Sequence, residues 1–122
     1  MIGVFVCNLL VPLIMILAGW LMYRHPPEDI NSVVGYRTSR SMKNLDTWRF
    51  AQHTCGKLWW KLGILVFLIT LAVSLCFMQA SEKAWTIRAF AIEGAQLVVM
   101  IGSIFQVEKA LQAAFDEQGN RR

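Results

Sequence analysis

Three long stretches almost free of charge constrain this chain more than anything else in it. Ile2 to Tyr23 contains no Asp, Glu, Lys, Arg or His, Leu58 to Met78 contains only Lys61, and Trp85 to Val107 contains only Arg88 and Glu93. At a helical rise of ~1.5 Å per residue each stretch covers the roughly 30 Å of a bilayer's hydrocarbon core. A soluble bundle would have to bury all three, and the residues outside them are too few to cover such a surface. With 56% hydrophobic residues overall, the chain reads as an all-α membrane protein with three transmembrane helices, at about 2–23, 58–78 and 85–107, forming one domain over 1–122. The first stretch lacks a basic leader and a small-residue cleavage site, and its apolar part exceeds the usual ~7–15 residues of a signal peptide. A retained helix is the expectation.

Charge then sets the expected orientation. The connection 24–57 carries Arg24, Arg37, Arg40, Lys43, Arg49 and Lys57, and the tail 108–122 carries Lys109, Arg121 and Arg122, whereas the second connection has only Lys83. Cytoplasmic loops hold the excess of Lys and Arg. The expectation is therefore a multi-pass protein of a bacterial inner membrane with its N-terminus outside and its motif segment and C-terminus in the cytoplasm. The net charge of +4 gathers on that face, where it favours anionic lipid headgroups, acidic protein surfaces or phosphorylated ligands. Three cysteines, two of them in spans, give no disulfide framework, and His25 and His53 have no metal-ligand neighbours in sequence. No metal or other cofactor is expected, and nucleic acid is not among the expected partners.

Within the motif segment, Pro26 and Pro27 end the first helix and an irregular piece over 28–34 leads to Gly35 as a turn residue. Thr38 or Ser39 caps a single turn through Met42, and Asn44 is the expected N-cap of a longer helix with Asp46 in its first turn. Apolar residues at Leu45, Trp48, Ala51 or Gln52, Cys55 and Leu58 or Trp59 keep helical spacing. The second helix is thus expected to run unbroken from Leu45 to Met78, its first third an amphipathic cytoplasmic extension. Tyr36, Arg37, Thr38, Arg40, Ser41, Lys43, Asn44, Trp48, Arg49 and Lys57 form a candidate anion or ligand site: cations and hydroxyls beside a helix start whose N–H groups suit a phosphate or carboxylate. The bland alternative is that these charges only enforce topology.

The order Gly35-Tyr36-Arg37-Thr38, Ser41-Met42, Asn44, Trp48, Ala51, Gly56-Lys57 resembles the pattern of the SdpI family of bacterial membrane proteins, named for immunity to a sporulation-delaying peptide toxin. Ser39 stands where that family often has proline. A second element, Glu108, Leu111, Phe115, Asp116, Gly119 and Arg121, is similar to the family's C-terminal motif. The resemblance implies a membrane module that protects against or senses a membrane-active peptide, with the toxin or a cytoplasmic regulator as partner.

A second candidate site lies inside the spans. Glu93 is costly in a bilayer and needs a partner. By depth it lies near Asn8, Thr70 and Ser74, with Gln96 one turn further along the same helix and Pro12 freeing a backbone carbonyl on the first helix. This intramembrane polar cluster reads as helix-joining glue, or as the path of a small oligomeric transport or channel element. Ala91, Gly94, Ala95 and Gly102 permit close helix approach within the chain or in a homo-oligomer. No catalytic constellation is recognisable, so no enzyme is expected; lipid-phosphate chemistry at Arg37, Arg40, Lys43 and Glu93 is the one catalytic alternative.

Overall fold

A computed structural model of the chain describes residues 2–31, 35–76 and 81–122. Its elements are α1 (Ile2–Arg24), α2 (Leu45–Cys76) and α3 (Glu82–Ala114). All three are long and apolar enough to cross a membrane, and among the described residues the one β interaction is an isolated bridge between Phe115 and Arg121. The protein is an all-α, three-helix membrane protein. Residues 32–34 of the irregular piece expected over 28–34, and the expected end of the second span at Met78, lie outside the described residues.

α1 stops at Arg24, directly before Pro26 and Pro27. α2 is unbroken from its amphipathic beginning to its apolar end. α3 is longer than its apolar stretch on both sides. Ser81 caps its start by accepting from the Ala84 N–H at 3.3 Å, and it runs on through Glu108 and Lys109 to Ala114. Those charges end the apolar surface but not the helix, because Val107 and Leu111 continue one buried face.

α1 and α2 pack backbone against backbone. A Cβ on Gly19 would collide with the Trp60 nitrogen, one on Gly56 would fall 2.6 Å from the Tyr23 nitrogen, and one on Gly63 would fall 2.8 Å from the Ile16 nitrogen. α3 is joined to this pair more sparsely. Trp59 donates from Nε1 to Ser103 Oγ at 2.8 Å, and Val107, Leu111 and Phe115 complete an apolar core with Met22, Tyr36, Ala51 and Cys55 at the end of the bundle that carries the motif segment. Apart from the backbone of α3 itself, no atom of the described residues comes within 4 Å of where a Cβ would stand on Gly94 or Gly102. The small-residue face of α3 therefore does not serve packing between the described helices.

Candidate functional site

The motif segment is folded into a lock between the helix ends. Gly35 sits at φ +100°, a conformation that favours glycine. It delivers Tyr36 to Gln52, a fully buried side chain on α2. The Tyr36 N–H donates to Gln52 Oε1 at 2.8 Å, and Gln52 Nε2 donates to the Tyr36 carbonyl at 2.7 Å. A side-chain amide thus pairs with one residue's backbone as a neighbouring strand would. The Tyr36 hydroxyl reaches α3, donating to Glu108 Oε1 at 2.7 Å. Burial, then the Glu108 hydrogen bond and charge, push the Tyr36 hydroxyl well above its ordinary pKa.

Three further contacts close the lock. Ser41, buried, donates from Oγ to the carbonyls of Tyr36 (3.2 Å) and Thr38 (2.9 Å), and Met42 N–H returns to the Thr38 carbonyl. Asn44 and Thr47 cap α2 reciprocally: Asn44 N–H donates to Thr47 Oγ1 at 3.0 Å and Thr47 N–H to Asn44 Oδ1 at 2.9 Å. Trp48, wholly buried, donates from Nε1 to the Pro27 carbonyl at 2.8 Å. The tail then folds back on this cap. Asn44 Nδ2 donates to the Gly119 carbonyl at 2.8 Å. Gly119 has φ +86°, and a Cβ there would meet that same amide at 2.6 Å. Asp116 Oδ1 accepts from the N–H groups of Gln118 and Asn120, and Arg121 lies 4.9 Å above the Phe115 ring and 5.7 Å from that of Phe50.

The expected site residues therefore divide. Tyr36, Thr38, Ser41, Asn44 and Trp48 are turned inward, joined by Glu108 of α3 and by Phe115, Asp116 and Gly119 of the tail, while Arg121 is exposed over the Phe115 ring. Arg37, Lys43, Arg49 and Lys57 are exposed around the lock. Arg40 Nε is 3.4 Å from Glu108 Oε2, an ion pair exposed enough to contribute little. The start of α2 is not the open row of donors expected from sequence. Asn44 accepts the Thr47 N–H on its side chain and the Trp48 N–H on its carbonyl, and the tail covers its amide. Gln52 and Thr47 were not expected to have these roles. The legible signals were a polar residue on an otherwise apolar helix face and the Asn-x-x-Thr spacing of a reciprocal cap.

Beside the lock lies a cavity of about 930 Å³. Ala18, Leu21 and Met22 of α1, Trp59 of α2 and Ile104 of α3 give it an apolar lining, and Gly35, Tyr36, Arg37 and Thr38 form its polar wall. The motif is thus both a brace between helices and one wall of an open cavity.

In the membrane-spanning part the polar cluster centres on Gln96 rather than on Glu93. Pro12 has no N–H for the carbonyl four residues earlier, and that carbonyl, of Asn8, accepts from Gln96 Nε2 at 2.9 Å. The same amide donates to Thr70 Oγ1 at 3.1 Å. Asn8, Thr70, Ser74 and Gln96 are all buried. Glu93 is half-buried and faces a separate cavity of about 480 Å³ bordered by Cys7, Asn8 and Thr86. Gln96→Leu is expected to cost about 1 kcal/mol, as interhelical hydrogen bonds in membranes do. Adding Pro12→Ala restores an N–H for the Asn8 carbonyl within α1 and should recover much of that loss. Unfolding in detergent checks this; a double variant no more stable than Gln96→Leu would show that the freed carbonyl is not what Gln96 serves.

Three membrane-crossing helices tied at one end by a folded loop and tail define a small multi-pass helical membrane protein. Residues 28–106 match the SdpI/YfhL protein family, and the chain belongs to that family. It is similar to a protein of Bacillus subtilis (strain 168) described as "Uncharacterized protein YfhL", with 42% identity over 53 residues, 43% of this chain and 48% of the relative. The match thus spans about half the length of that relative. No solved structure matches the chain.

Proposed function

We propose that this protein is a binding and relay module that protects against, or reports the presence of, a membrane-active peptide, acting by binding rather than by catalysis. One observation carries the reading. Tyr36, which walls the 930 Å³ cavity, is also the residue that joins α2 at Gln52 and α3 at Glu108, and the Asn44 cap of α2 holds the tail at Gly119. A ligand entering the cavity presses on this lock, and the tail is what a cytoplasmic regulator would sense. The motif end faces the cytoplasm of a bacterial inner membrane, as the positive-inside asymmetry supports. In a cysteine-free background, Asp29→Cys should then label from the cytoplasm and Lys83→Cys from outside; the reverse pattern would overturn the orientation.

The reading is tested at Arg37, exposed on the cavity wall. Arg37→Ala is expected to abolish toxin survival or reporter output at normal membrane levels. Arg37→Lys should fail as well, since lysine does not reproduce the planar, forked guanidinium. Full activity of the lysine variant would reduce Arg37 to surface charge and remove the reading.

A second reading rests on Glu93. A carboxylate facing a 480 Å³ cavity within a span supports a transport or channel element, assembled as an oligomer. A Glu93→Gln protein of normal thermal stability but without function would favour it. A stable and active one would leave Glu93 no such role.

A further inference from the structure

On the side of the lock facing away from the large cavity, α1 and α2 bring two matching triads together. Trp20, Tyr23 and Arg24 lie at i, i+3 and i+4 on α1, and Lys57, Trp60 and Lys61 repeat that spacing on α2. Residues so spaced share a helix face. The glycine contact of Gly19 with Gly56 and Trp60, and of Gly56 with Tyr23, draws the two faces against each other. All six side chains line one pocket of about 290 Å³.

The pocket's charge is uncompensated. It holds three cations and no carboxylate. Arg40 is paired with Glu108, but among the described residues no acidic group pairs with Arg24, Lys57 or Lys61. Among the described residues Arg24 finds only the Tyr23 ring, at 5.9 Å. Three like charges in one small pocket repel one another, and an anion between them reverses that sign. The surface continuing from the pocket into the membrane identifies the anion. Below Trp20 on α1 come Leu17 and Leu13, and beyond Trp60 on α2 come Ile64 and Leu68, all exposed and apolar. Tryptophan and tyrosine at this level mark the membrane–water boundary. A cationic pocket at the boundary with an apolar track leading from it has the head-and-tail chemistry of a lipid.

We propose that Arg24, Lys57 and Lys61, framed by Trp20, Tyr23 and Trp60, form a site for the phosphate headgroup of an anionic phospholipid whose acyl chains lie along Leu13 and Leu17 of α1 and Ile64 and Leu68 of α2. The site is separate from the peptide-binding cavity and does not depend on which compartment the motif end faces. Its occupancy fastens α1 to α2 where their backbones meet.

The test uses the purified full chain in uncharged detergent, titrated with short-chain phosphatidylglycerol or phosphatidylcholine and followed by native mass spectrometry and thermal stability. Phosphatidylglycerol should bind about tenfold or more tightly than phosphatidylcholine, and K57Q/K61Q should lose about tenfold or more of that binding. K43Q/R49Q, which removes the same charge from exposed positions outside the pocket, should bind within about twofold of the parent. Equal binding of the two lipids, or an equal loss in K43Q/R49Q, would reduce the site to general surface charge and overturn the proposal. Competition by glycerol phosphate as effective as by the lipid would make it a soluble-anion site and overturn it too. If K57Q/K61Q does not fold, Lys61→Gln alone is held to the same comparisons, with about a threefold loss expected.

Discussion

A leucine at Gly19 should separate α1 from α2 and leave little folded protein. Even the single Cβ of Gly19→Ala would collide with the backbone of Trp60, and Gly56→Ala would bring a Cβ to 2.6 Å from the Tyr23 nitrogen. Backbone atoms on both sides cannot rotate away, so the helices must move apart. Alanine gains about 1 kcal/mol in helix propensity over glycine, but overpacking costs about 1–3 kcal/mol and more when neighbours cannot yield. The expected net is a loss of about 1–2 kcal/mol for either alanine variant and at least about 3 kcal/mol for Gly19→Leu. In α3 the same change should act in the opposite direction. Gly94 and Gly102 have nothing within 4 Å of an added Cβ, so alanine there should be neutral or stabilising by up to about 1 kcal/mol. Denaturant unfolding in detergent compares the four alanine variants with Gly19→Leu. Destabilisation at Gly94 as large as at Gly19 would mean that α3 packs closely against a second copy of the chain, through the small-residue face that is open in the single chain.

The contrast between these glycines shows what the sequence could and could not disclose. Features set within about four residues were legible: the stop before Pro26, the Asn44 cap, the turn at Gly35, and the carbonyl that Pro12 frees. The three membrane-crossing helices followed from run length, because nothing but a bilayer accommodates so much apolar surface. Which faces meet was not legible. Gly19 and Gly94 both fall inside long apolar stretches, yet one is pressed between backbones and the other opens outward. The same limit hid Gln52, whose partner Tyr36 is separated from it by a turn of unknown course, and Asn44, whose amide is bound by Gly119 of the tail. It also hid the pairing of Arg24 with Lys57 and Lys61, since helical spacing discloses a triad but not the triad it will face. Cations at Arg37, Lys43 and Arg49 were read as one cluster because they are near in sequence. The fold leaves them exposed around a lock made of their neutral neighbours.

That lock is where the second large effect is expected. Gln52→Leu keeps the side chain's bulk at a fully buried position but withdraws both groups that pair with Tyr36. The Tyr36 carbonyl retains Ser41 Oγ at 3.2 Å, whereas its N–H loses the partner it had at 2.8 Å. An orphaned buried donor costs about 1–3 kcal/mol beyond the lost bond, so a total near 3 kcal/mol is expected. Gly35→Ala attacks the same pair from the other side. Its φ of +100° becomes strained, and the new Cβ falls 2.5 Å from Gln52 Oε1, which must swing away. Strain of about 1–3 kcal/mol adds to the broken contact. Since each substitution destroys the contact the other needs, the double variant should be more stable than the sum of the two losses implies, by about 1–2 kcal/mol. Full additivity would mean that the two residues act separately and that there is no lock. Alkali gives an independent readout through Tyr36. Unfolded, its hydroxyl ionises near its ordinary value of 10.0, while burial and Glu108 keep it protonated beyond that in the fold. Its contribution is complete below pH ~10 and falls as pH rises toward the higher folded value, because only the unfolded chain has released the proton. Tyr36→Phe removes that slope above pH 10 while lowering stability at neutral pH by the lost hydrogen bond, about 1 kcal/mol. A parent and a phenylalanine variant that lose stability in parallel above pH 10 would show that the Tyr36 hydroxyl is not held between burial and Glu108 as described.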